Sequence, residues 1–112
     1  MAVKVMVLKN KSKEERFLAC GMDNGDWEDP ELDVSGEELK NAYMIWSTPE
    51  HPNLKENFQS AVKQGNEHKK NLIERFGDGA FVSLDFDEIL KQYEPVEKVI
   101  SESDFEHAKN LD

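Results

Sequence analysis

"VKVMVLKNKSKEERFLACGM" (residues 3–22) is the stretch on which the fold turns. Its first six residues, "VKVMVL", are valine-rich and apolar with one lysine interposed, which is the pattern of a strand. "KNKSKEE" then supplies a polar, turn-forming link, and "RFLACGM" a second apolar run. Two such runs across a short polar connection predict an antiparallel β-hairpin. The lysines at its tip read as a guard against unwanted strand pairing.

Downstream, residues 22–34 form an acidic loop punctuated by Gly25 and Pro30. Ser35 followed by Glu38 has capping-box spacing, and Val34 and Leu39 flank it as a hydrophobic staple does. A helix is therefore expected from Ser35 to about Trp46, with Glu37 and Glu38 in the first turn, where the helix dipole favours negative charge. "STPEHPN" (47–53) breaks it. Leu54, Phe58, Ala61 and Val62, then Leu72, Ile73 and Phe76, share one helical face, which predicts one long helix crossing Gly65. Gly77 suits a left-handed cap. "AFVSLDF" (80–86) reads as a strand and "DEILKQY" as a short helix capped by Asp85 or Asp87. "EKVIS" (97–101) reads as a last strand, and a C-terminal helix over 103–111, prone to fray, starts at a Ser103/Glu106 cap.

These elements predict a single α+β domain over residues 1–112. Its expected form is a small mixed or antiparallel sheet of three to four strands with an N-terminal hairpin, and three to four helices packed mainly on one face. The 27 Leu, Ile, Val and Phe residues suffice for one modest core, although 34% of the chain is charged.

The formal charge of −10 is unevenly spread: +3 over residues 1–16, −8 over 17–39, +2 over 40–76 and −7 over 77–112. Such a chain repels nucleic-acid phosphates and anionic membranes at long range, so neither is an expected partner. One cysteine, Cys20, allows no intrachain disulfide and suits a reducing compartment. No signal-peptide pattern opens the sequence and no run of ~18 apolar residues occurs, so a cytoplasmic location is expected.

Chemistry-bearing patterns are sparse. Cys20 with His51, His68 or His107 lacks the context of a nucleophile–base pair, and a cysteine at the end of an apolar strand is more often a small buried hydrophobe. "GDGA" has the wrong neighbours for a phosphate loop. An EF-hand register from Glu31 places Asp33, Ser35 and Gly36 correctly but puts Ala42 where the bidentate Glu belongs. Registers from Asp23 and Asp29 fail at Gly25 and Val34. Paired carboxylates, Asp26/Glu28 and Asp85/Asp87, suit acid–base work only inside a pocket that raises a pKa. No metal, cofactor or catalytic residue is assigned, and an enzyme is not expected.

The acidic stretch itself remains. Residues 22–38 carry eight carboxylates, and no Lys or Arg lies between Arg16 and Lys40. Trp27 stands among them in "GDWEDPEL". A loop tryptophan either plugs the edge of a small core or serves as an exposed anchor ringed by charge, as in a binding hot spot. The second reading makes Asp23, Asp26, Trp27, Glu28, Asp29, Glu31, Leu32 and Asp33 a surface for a protein partner that is itself basic. The chain would then act stoichiometrically, as an inhibitor, an immunity-type protein or a nucleic-acid mimic. The alternatives are a small enzyme or divalent-metal-dependent protein using the clustered carboxylates, and a structural component of a larger assembly.

Overall fold

The computed structural model describes residues 2–19, 33–79 and 85–110. Its centre is β1 (Ala2–Asn10), whose Val5, Met6, Val7 and Leu8 are all buried. A strand is apolar on both faces only when both are covered, and two clusters cover this one. Val5 and Val7 join Phe17, Ala42, Met44, Ile100 and Ala108 on one face. Leu8 joins Leu18, Phe86, Ile89 and Tyr93 on the other.

β2 (Arg16–Leu18) pairs antiparallel with β1, so the hairpin forms as expected. β3 (Asp33–Ser35) adds outside β2, with Leu18 opposite Asp33. β4 (Met44–Ile45) takes the same side of β1 as β2, and β5 (Tyr93–Ser101) runs along its other side in an unbroken antiparallel register. The fold is thus α+β, and the described residues form a five-stranded antiparallel sheet. Its helices divide between the two faces instead of gathering on one. α1 (Leu54–Phe76) and α2 (Phe86–Gln92) lie over the Leu8 cluster through Phe58, Val62, Phe86 and Ile89. α3 (Glu102–Lys109) lies over the Val5 cluster through Phe105 and Ala108.

The helix expected from Ser35 to Trp46 does not form. Gly36–Asn41 is a 3₁₀ helix kinked at Glu38, and the Ser35 side chain makes no cap hydrogen bond. Ser35 instead belongs to β3, opposite Arg16, and Met44 pairs with Val7. The alternation of buried Ala42 and Met44 with half-buried Tyr43 and Ile45 is a strand period, and sheet pairing overrides the local helical signal. Val34 and Leu39, read as a staple, both pack on the Val5 cluster.

α1 is one continuous helix of 23 residues through Gly65, capped by the Asn53 side chain, which accepts from the Glu56 N–H. Phe76, expected on its apolar face, is 70% exposed. Gly77 has positive φ as expected (87°), but its ψ of 179° is extended rather than left-handed helical. Asp85 caps α2, its carboxylate accepting from the N–H groups of Asp87 and Glu88. Of the strand read at 80–86, residues 80–84 lie outside the described residues, and Phe86 is helical and buried. β5 begins four residues before the strand read at 97–101, taking in Pro95 opposite Leu8. α3 is capped by Ser101, not Ser103: the Ser101 hydroxyl accepts from the Asp104 N–H.

Candidate functional site at the root of the acidic segment

β2 and β3 flank the acidic segment in sequence and pair with each other, Leu18 opposite Asp33, so the described residues on either side of that segment are held side by side. Of the residues expected to face a partner, Asp23, Asp26, Trp27, Glu28, Asp29, Glu31 and Leu32 lie outside the described residues. Asp33 is described, and it is buried at 7% exposure. Its carboxylate turns into the fold: Tyr93 Oη donates to Oδ1, and Asn10 Nδ2 donates to Oδ2 at 3.3 Å. Arg16 Nη2 donates to its main-chain oxygen at 2.8 Å. Asp33 is therefore the anchor of the segment and does not present its charge outward.

A carboxylate taken out of water is costly unless hydrogen bonds replace its solvation, and these two donors supply that replacement. Tyr93 is affected in return. Burial, then the hydrogen bond to the Asp33 carboxylate, raises its phenol well above the ordinary value and keeps it a donor. Asn10, itself buried, uses its other side-chain atom locally. Asn10 Oδ1 accepts from Ser12 N at 2.9 Å, Ser12 Oγ at 3.0 Å and Lys13 N at 3.0 Å. One asparagine so shapes the hairpin tip and ties it to the root of the acidic segment. The tip is fastened from the opposite side too, Lys11 N donating to Gln92 O at 2.8 Å and Lys11 Nζ to Leu90 O at 2.9 Å. Lysine at this tip is thus partly a fastening and not only a guard.

The Asp85/Asp87 pair is brought together, around a cation. Lys69 Nζ donates to Asp85 Oδ1 at 3.0 Å and to Asp87 Oδ2 at 3.3 Å, tying α1 to α2. The bond to Asp85 is the main reason the Lys69 ammonium holds its proton above the usual lysine value. Among the described residues, Lys69 carries the ion pairing between α1 and α2.

The histidines do not converge. His51 and His68 are exposed, and His107 Nε2 lies 2.9 Å from Asn41 Oδ1 on the opposite face of the sheet from α1. Cys20 lies outside the described residues. No three His, Cys, Asp or Glu side chains among the described residues gather as a metal site would require. No described helix is long and apolar enough to cross a membrane.

No protein-family model, curated protein or solved structure matches this chain.

Sequence reasoning missed Tyr93, Asn10 and Arg16 as members of the anchor. Tyr93 lies 60 residues from Asp33 in the chain, and the pairing of β3 with β2, β2 with β1 and β1 with β5 brings them together. Asn10 alone left a trace, as a turn-forming residue where the first apolar run ends.

Proposed function

We propose that this protein acts by stoichiometric binding of a protein with a basic surface, and that the acidic segment between β2 and β3 is the contact. The observation that carries this reading is the anchored root. Leu18–Asp33 pairing, with Asp33 held by Tyr93, Asn10 and Arg16, ties to one point of the sheet a segment bearing Asp23, Asp26, Glu28, Asp29 and Glu31. Trp27 stands among those carboxylates, and no cation is interspersed. Charge of one sign concentrated beside an aromatic steers association with a basic partner and supplies an anchor for affinity. A single cysteine and the acidic composition fit work in the cytoplasm, as an inhibitor, immunity-type protein or nucleic-acid mimic.

The test neutralises the segment: Asp26→Asn, Glu28→Gln, Asp29→Asn and Glu31→Gln together. Wild-type and variant protein, each with an unchanged melting temperature, serve as baits in extracts at matched salt. The expected result is a basic protein captured by wild type and lost with the variant. Capture of the same protein at the same yield and salt by both would refute the assignment.

A further inference from the structure

The connection between β4 and α1 is held open as a cleft against the first half of that helix. Asn57 fixes it, its Nδ2 donating to Trp46 O at 3.1 Å and to His51 O at 2.8 Å. Thr48 and His51 close the bend with reciprocal main-chain bonds of 3.1 Å, and Thr48 Oγ1 accepts from His51 N as well. The resulting cavity is about 310 Å³, near the lower end of small-ligand pockets. Trp46 lines one side of it, its ring packed edge-on against Phe105 at 5.7 Å and 83°. Ser60 and Gln64, one helical turn apart on α1, face it across Ala61.

Two features of this lining bear on what it takes. Charged residues make up 34% of the chain, yet none of the seven lining residues carries formal charge with histidine neutral. The Ser60 hydroxyl, the Gln64 amide and the His51 imidazole also form no hydrogen bond with any other described residue, although their neighbours Asn57 and Thr48 do. The cleft therefore offers donors and acceptors not engaged within the fold beside Trp46, without a charge to pair with an ion. We infer that it is a binding site for a neutral, hydroxyl-rich ring, a pyranose of a mono- or disaccharide. The C–H face of such a ring packs on the indole, and its hydroxyls bond to Ser60, Gln64 and His51. This site is separate from the acidic segment and does not depend on its role.

The test is titration of the ¹⁵N-labelled protein with glucose, galactose, N-acetylglucosamine and maltose, each to roughly 50 mM, well beyond a millimolar dissociation constant. The readouts are the Trp46 indole and Gln64 side-chain amide resonances. The expected result is saturable shifts of both resonances with at least one sugar. Ser60→Ala and Gln64→Ala, both at exposed positions, are each expected to weaken binding roughly 3- to 10-fold, the loss of one neutral hydrogen bond. Glucuronate and glucose 6-phosphate, which bring negative charge to a charge-free lining on a −10 chain, are expected to bind more weakly. Linear, non-saturating shifts with all four neutral sugars would overturn the assignment. So would equal binding of the charged sugars, or undiminished binding in both variants.

Discussion

Replacing Tyr93 with Phe removes one oxygen and leaves the packing intact, which isolates the bond that holds the root of the acidic segment. The ring stays among Leu8, Leu18, Phe86 and Ile89, so no cavity opens and no transfer term is lost. What is lost is the hydroxyl that donates to Asp33 Oδ1, with both residues buried at 2% and 7% exposure. A hydrogen bond to a charged group contributes about 1.5–3 kcal/mol, and the abandoned carboxylate oxygen stays buried. Tyr93→Phe is therefore expected to lower unfolding stability by about 2 kcal/mol, a ~30-fold shift toward the unfolded state. Urea unfolding followed by far-ultraviolet circular dichroism measures this directly. The same pair sets a pH dependence. Tyr93 has a raised pKa in the fold, so above its ordinary value of 10.0 the unfolded chain loses the proton first and the native state binds more protons. The native state's advantage from this group is complete below pH 10 and declines as pH rises beyond it. Tyr93→Phe should flatten that alkaline decline while lowering the neutral-pH plateau. A variant within 0.5 kcal/mol of wild type at pH 7, or with an unchanged alkaline slope, would refute the anchor as described.

Other expectations follow from single contacts. Gly77→Ala forces a side chain onto φ 87°, ψ 179°, a region nearly confined to glycine, and should cost about 1–3 kcal/mol by urea unfolding even though the site is sterically open. Lys69→Gln leaves Asp85 and Asp87 without their shared cation and should lower stability by about 1 kcal/mol or less, a loss that shrinks as salt is raised. Phe105→Ala removes the edge-on partner of Trp46 and the packing of α3 on the sheet, and should cost about 2 kcal/mol. Phe76→Ser, at 70% exposure, should change stability by less than ~0.5 kcal/mol, and a larger loss would mean that its ring is buried in solution.

What sequence alone determined here is local. The valines of β1, the 3.6-residue period of α1, an aspartate cap at Asp85 or Asp87 and the hairpin link each express a preference within a few residues, and each survives folding because the tertiary pairing agrees with it, the structure choosing Asp85 for the cap. Residues 35–46 show the opposite case. Ser35, Glu38 and Leu39 signal a helix start, but closing β3 onto β2 and β4 onto β1 stabilises an alternative that no local pattern reports. Pro95, a residue that cannot donate to a ladder, nevertheless lies within β5, paired with β1 opposite Leu8. For the candidate site, composition marked the acidic segment but did not separate Asp33 from its neighbours. That distinction is tertiary. Asp33 is an internal anchor because strand register sets it within reach of Asn10 and Tyr93, which are 23 and 60 residues away in sequence. Hydrophobic period is written residue by residue, whereas the partner of a buried carboxylate is chosen by which strands lie side by side.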